Sequence, residues 1–209
     1  AGVNPSITGS INNNGTISAS GNLSINGSLT NENNSQLTVS GTVITITNGS
    51  LILNGGTFPQ NITTLNIDGS LDDSNSLLPD NITLNLNGSV SSPTIHCGDT
   101  IFASINLDKD SAANSITPIS DCNLGNFTIT QGYITNPSST YTYHILGNFS
   151  QVANTTIGGS NFVIEFAGSN TQSISKTAGT FASALQINKT GSNMVSLTTS
   201  LTTVGQSCI

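Results

Sequence analysis

The chain has 209 residues, with 3 Lys+Arg against 10 Asp+Glu, a formal net charge of −7, and only 6% charged residues, where an ordinary soluble domain carries about 25%. It has no Arg and no Trp, and 28 Asn, 31 Ser, 29 Thr and 21 Gly fill 109 of its positions. Three lysines cannot neutralise a phosphate backbone, which excludes a nucleic-acid binder, and the near absence of fixed cationic clamps disfavours phosphoryl transfer. No apolar run approaches 18 residues, so no membrane span is expected.

Taken from its start, the chain opens Ala1-Gly2-Val3 rather than with Met, which fits a secreted protein after signal-peptide removal or an excised fragment. One phrase then returns: Thr8-Gly9-Ser10-Ile11, Asn26-Gly27-Ser28-Leu29, Asn48-Gly49-Ser50-Leu51, Asp68-Gly69-Ser70-Leu71 and Asn87-Gly88-Ser89-Val90, its glycines 18, 22, 20 and 19 residues apart. Looser copies follow around Gly132, Gly147, Gly168 and Gly191, with a degenerate one near Lys109, for a mean spacing of about 20. A finer six-residue period runs through Gly9, Gly15, Gly21 and Gly27, and through Ile11, Ile17, Leu23 and Leu29.

Between the turns the pattern alternates apolar and polar, as in Ile82-Thr83-Leu84-Asn85-Leu86, Ile101-Phe102-Ala103-Ser104-Ile105 and Phe162-Val163-Ile164-Glu165-Phe166. Period two with Asn, Gly, Ser and Thr between the runs predicts strands and tight turns. A repeat near 20 residues is the length of one coil of a β-solenoid. A three-sided coil with two inward residues per side needs about six apolar positions in twenty, close to the 34% hydrophobic content. The expectation is one all-β domain over 1–209, a parallel β-helix with regular copies in 1–107 and degenerate ones in 108–209. Ten coils stacked at 4.8 Å would make a rod of roughly 48 Å. Asn-Gly and Asp-Gly also close hairpins. Hairpin folds therefore stay open, and the alternative carried is a pilin-like β-sandwich whose N-terminal strands near Ile7–Ile25 complete a neighbour's sheet by donor-strand exchange.

The segment from Phe166 to Gly205 has Phe166, Gly168, Gln172, Ile174, Leu185, Ile187 and Asn188 in the order apolar, Gly, Gln-x-Ile, spacer, Leu-x-Ile-Asn. It resembles the repeats of bacterial secreted β-helix surface proteins. That resemblance covers about forty residues and implies a parallel β-helix at a cell surface, with no catalytic residues to carry over. The overall composition is also similar to that of glycosylated archaeal thread-type pilins.

Candidate chemistry is sparse. Asp72-Asp73 is a pair of carboxylates of the kind hydrolases use, and reads more simply as a polar turn. Asp108-Lys109-Asp110 with Asn106 and Ser111 offers oxygens to Ca²⁺ but lacks the Gly and distal Glu of an EF-hand, so a solvated turn is expected. His96 beside Cys97, and His144, are weak candidates for a Cys–His pair or a metal site. Tyr141-Thr142-Tyr143 marks one face of a strand. Thr45-Ile46-Thr47 and Thr128-Ile129-Thr130 have the Thr-x-Thr form of an ice-binding row, but most copies lack it. The expectation is no catalytic residue, no metal and no cofactor.

Three cysteines are an odd number. In an oxidising compartment they form one bridge and leave one thiol: Cys97 with Cys122, and Cys208 available between subunits. The alternative is three buried thiols. Twelve N-x-S/T sites occur, at Asn14, Asn22, Asn26, Asn33, Asn48, Asn61, Asn81, Asn87, Asn126, Asn148, Asn154 and Asn188, where chance placement gives roughly 8. They are candidate glycosylation sites on an extracellular, cell-surface protein. A solenoid leaves strand edges at its ends unless they are capped, and neither end of this chain reads as a cap. The leading expectation is a non-catalytic subunit of an extracellular filament, with itself as partner, head to tail. The alternative is a surface adhesin or ligand-binding β-helix module, a fragment of a larger protein, with surface glycans as partners.

Overall fold

The computed structural model describes residues 3–152 and 154–199. These form a succession of short strands and corners that repeats along one axis as a β-solenoid, and every strand pair is parallel. The donor-strand sandwich is not formed: Ser6–Thr8 pairs with Leu23–Asn26 of the same chain, Ile7 opposite Ile25.

Each coil has three sides. The first side is built by Ser6–Thr8, Leu23–Asn26, Val43–Thr47, Thr64–Ile67 and Thr83–Gly88, and the second by Ile11–Asn13, Leu29–Asn31, Leu51–Leu53, Leu71–Asp72 and Thr94–His96. The third begins as Thr16–Ala19 paired with Gln36–Val39. The second side runs on to Thr180–Phe181 and contains nine strands, one for each turn. At 4.8 Å per coil those nine turns make a rod of about 43 Å.

The six-residue period is the shape of the first coil. Gly9, Gly15 and Gly21 stand at its successive corners, and Ile11 and Ile17 point inward from the sides between them. The recurring Asn/Asp-Gly-Ser phrase is the corner from first to second side. There the glycines stack directly: a Cβ on Gly27 would lie 2.6 Å from the carbonyl carbon of Gly9, and Gly49 and Gly69 press in the same way on the glycine before them. Glycine is required at Gly27 both by this approach and by its φ of +141°.

The interior is a set of columns in register. One runs Leu23, Ile44, Leu65, Leu84, Ile105, Phe127, Phe149, Ile174, every member at most 1% exposed. Each contributes about 1.5–3 kcal/mol by burial. The later coils fill the interior with aromatics: Phe127 meets Phe149 edge-on at 5.7 Å, and Tyr143 meets Phe162 at 4.9 Å.

Three of the later glycines, Gly147, Gly168 and Gly191, do not continue the first corner. The strands Ile101–Lys109 and Cys122–Gln131 are long because they run through the corner between third and first sides. The front of the second strand pairs with Tyr141–Ile145 and its back with Phe149–Gln151. Gly147 turns between those two, its N–H donating to Gly125 O at 2.6 Å, so Gly147, Gly168 and Gly191 belong to this second corner. The first corner continues instead through Lys109 and Gly132. On the third side, Phe58-Pro59 and Leu78-Pro79 stand where strand pairing lapses, consistent with proline's missing N–H.

Cys97 and Cys122 form a disulfide with Cα atoms 5.4 Å apart, joining successive coils across 25 residues. Cys208 lies outside the described residues. Replacing both bridge cysteines with Ala is expected to cost about 3 kcal/mol, measured by urea unfolding against the wild type.

Candidate functional site

Corners leave backbone carbonyls facing the interior, and buried donors must meet them. Asn13 Nδ2 donates to Asn31 Oδ1 at 2.8 Å, and Asn31 Nδ2 to Gly55 O at 3.0 Å, a two-step internal ladder. Gln172 Nε2 donates to Ile145 O and Gly147 O at 2.7 and 2.6 Å. Lys176 Nζ reaches Gly179 O.

The most consequential of these groups is Lys109. It occupies the place that glycine holds in the first corner of earlier coils, opposite Gly88, and its side chain turns inward. Nζ, fully buried, donates to Asp68 O and Asn87 O, both at 2.7 Å, and lies 3.2 Å from Asp68 Oδ1. The Asp68 carboxylate also accepts from Val90 N at 2.8 Å and Asn48 N at 3.3 Å. Desolvation pulls the ammonium below the ordinary lysine range, and Asp68 opposes that shift. The group ties three coils together. The expected solvated turn at Asp108-Lys109-Asp110 is therefore half right: Asp108 and Asp110 are exposed, and Lys109 is a clamp.

Asp72 and Asp73 separate by strand alternation. Asp72 faces out, 3.4 Å from Nδ1 of His96 on the next coil. Asp73 is buried and accepts from Leu77 N at 2.7 Å and from Thr100 Oγ1 at 2.9 Å. Burial raises its carboxyl above the ordinary value, against the pull of those donors. The two carboxylates thus do not form a working pair on one surface. His96 is also parted from Cys97 chemistry, since that sulfur is in the bridge. His144 Nδ1 contacts Glu165 Oε2 one coil on, and Glu165 Oε1 accepts from Asn188 Nδ2 at 2.9 Å. Tyr143 is fully buried, with its hydroxyl pushed up in pKa by desolvation, so Tyr141 and Tyr143 form no exposed platform. Among the described residues, no three His, Cys, Asp or Glu gather as a metal set, and no helix is long and apolar enough to cross a membrane.

The first side carries an outward ladder. Thr45, Asn66, Asn85, Asn106 and Thr128 are in register. Asn66 Nδ2 donates to Thr45 Oγ1 at 3.1 Å, Asn85 Nδ2 to Asn66 Oδ1 at 2.8 Å, and Asn106 Nδ2 to Asn85 Oδ1 at 2.8 Å. This stacking of identical amides was legible as composition, but its register was not.

Eleven of the twelve sequon asparagines are exposed; Asn22 is half-buried. They differ in what the amide does. Asn61 Nδ2 donates to Val39 O and Gly41 O at 2.9 and 2.6 Å, which occupies the nitrogen a glycan would take. Asn126 and Asn148 use only Oδ1, each accepting from a backbone N–H of the following coil at 2.8 Å.

Set against known protein families, curated proteins and solved structures, the chain matches none.

Two outcomes follow. Lys109→Ala strands the Asp68 carboxylate and two carbonyls, and should destabilise the fold by about 3–5 kcal/mol. Pairing Lys109→Met with Asp68→Asn should recover part of that in urea unfolding. For Asp73, the raised folded-state value means the unfolded chain loses its proton first. The stability it contributes is fully present below its ordinary 3.8 and is lost as pH rises through the folded value. The wild type should therefore lose melting temperature relative to Asp73→Asn as pH rises above its ordinary 3.8.

Proposed function

We propose that the chain is a structural subunit of an extracellular, cell-surface filament, assembling head to tail without catalysis. The observation that carries this reading is the state of the two ends. Among the described residues, Ser6–Thr8, Ile11–Asn13 and Thr16–Ala19 each have a single strand partner, and so do Thr180–Phe181, Ala184–Lys189 and Val195–Leu197. All run parallel, so the edge that the described residues leave open on the last coil has the donors and acceptors that the edge they leave open on the first requires. Ile187 and Leu197, which stand in the interior columns after Phe166 and Ile174, are 54% and 57% exposed. A second copy placed on that end would bury them, and a contact between unlike ends repeats without closing.

The disulfide and the exposed sequons support an oxidising, extracellular setting. A second reading, a ligand-binding β-helix module, is favoured by the outward amide face of the first side.

The test is negative-stain electron microscopy with sedimentation of the purified chain and of Leu197→Glu. Filaments one subunit wide are expected for the wild type. The glutamate variant should remain monomeric with an unchanged β circular-dichroism spectrum. Uniform rods about 43 Å long at every concentration would overturn the proposal.

A further inference from the structure

The outward amide ladder has a direction. Every Nδ2 points toward the previous coil, so each amide oxygen accepts from the amide after it until Asn106. Asn106 Oδ1 has no donor: Thr128 stands next in register but makes no side-chain hydrogen bond. The cause is visible in the strand pairing. After Leu107 opposite Ile129, the register slips so that Asp108 faces Gln131, a β-bulge that leaves Thr130 extra on its strand. Bulges bend a strand and re-aim its side chains. Here the bend opens a shallow trough of about 250 Å³ on the first side. Its walls are Asn, Asp and Thr only, and it includes Asn87, Asn106, Asp108, Thr128 and Thr130.

Among the described residues, none of the side chains of Asn87, Asp108, Thr128 or Thr130 has a hydrogen-bond or ion-pair partner. The nearest cation is turned away, because Lys109 Nζ is committed to Asp68 inside the solenoid. The trough therefore gathers, in one small concavity, an unpaired carboxylate, an unpaired amide, an unsatisfied amide oxygen and two free hydroxyls.

We infer that this trough is a binding site for a neutral saccharide unit. The lone carboxylate repels phosphates, sulfates and sialylated sugars, and no aliphatic or aromatic side chain lines the walls to hold a large apolar ligand. Vicinal hydroxyls match what is present, because Asp108 and Asn106 Oδ1 accept while Asn87 Nδ2 and the threonine hydroxyls donate. The volume is below that of a drug-sized pocket, which fits one ring. Without an aromatic platform the affinity of a single site is about millimolar. Repetition of the site along a polymer would multiply avidity. The inference deepens the ligand-binding reading and stands whether or not the chain polymerises.

The experiment is a titration of isotopically labelled protein, made in a host that does not glycosylate Asn87, with glucose, galactose, mannose and N-acetylglucosamine to about 100 mM. It is followed by amide NMR. Selective shifts of the Asn85, Asn87 and Asn106 side-chain amides are expected with at least one sugar. Asp108→Ala should weaken that response about tenfold, and Thr130→Val should weaken it by less. Thr30→Ala, on the second side, should leave it unchanged. The Thr130→Val variant keeps the test decisive if Asp108→Ala does not fold. Absence of saturable shifts with all four sugars overturns the inference. So do shifts that survive both trough substitutions, or a response to CaCl2 alone.

Discussion

Everything in this molecule depends on one constraint: a coil of a parallel solenoid satisfies its backbone only through the coils above and below it. Among the described residues, no strand has a partner next to it in sequence. The hydrogen bonds of Val43–Thr47 go to Leu23–Asn26 on one side and Thr64–Ile67 on the other. Each coil must therefore hold its neighbour's register while closing on itself. The aliphatic columns perform the first task, since a one-residue slip would turn Ile44 and Ile46 to solvent. The corners perform the second.

Corners are also where the fold meets its cost, because turning the chain leaves polar backbone facing a dry interior. The early coils reduce the problem by bringing glycine against glycine, Gly27 on Gly9 and Gly49 on Gly27. Where the glycine row fails, a long polar side chain folds inward. Lys109 and Gln172 reach carbonyls of neighbouring turns, and Lys176 reaches Gly179 O in its own turn. Lys109 does most, because its charge also meets Asp68 two coils away, so a local irregularity in the repeat becomes a tie across three coils. The His96–Asp72 and His144–Glu165 contacts obey the same vertical logic on the outside.

The all-β class, the coil length and the first corner were legible because the first five copies keep one phrase, from Thr8-Gly9-Ser10 to Asn87-Gly88-Ser89. The odd count of three cysteines made one bridge the expectation, and Cys97–Cys122 was the favoured pair. What the sequence hid depends on variable coil length. In-register partners lie from 18 residues apart, as for Asn4 and Asn22, to 25, as for Asn148 and Ser173. With that variation, neither the Asp68–Lys109 pairing across 41 residues nor the Asn66–Asn85–Asn106 ladder can be counted out along the chain. Gly147 and Gly168 were misassigned to the first corner for a related reason. A bend inside Cys122–Gln131 changes which corner a glycine serves without changing the average spacing. Burial of Tyr143 and Asp73 was hidden because alternation tells which residues share a face, not which face is in.

A parallel stack joins two properties, a rod with repeating side faces and, in the proposed filament, ends that continue the pattern. The account's central claim is that the free strand edges of the first and last coils are joining surfaces. Hydrogen exchange measured by mass spectrometry, peptide by peptide and across protein concentration, tests this directly. The account predicts strong, concentration-independent protection in Val43–Thr47 and Thr83–Gly88. It also predicts protection of Ser6–Thr8 and Ala184–Lys189 that is weak in dilute solution and rises as the protein is concentrated. Edge strands that exchange at the same rate at every concentration would contradict it.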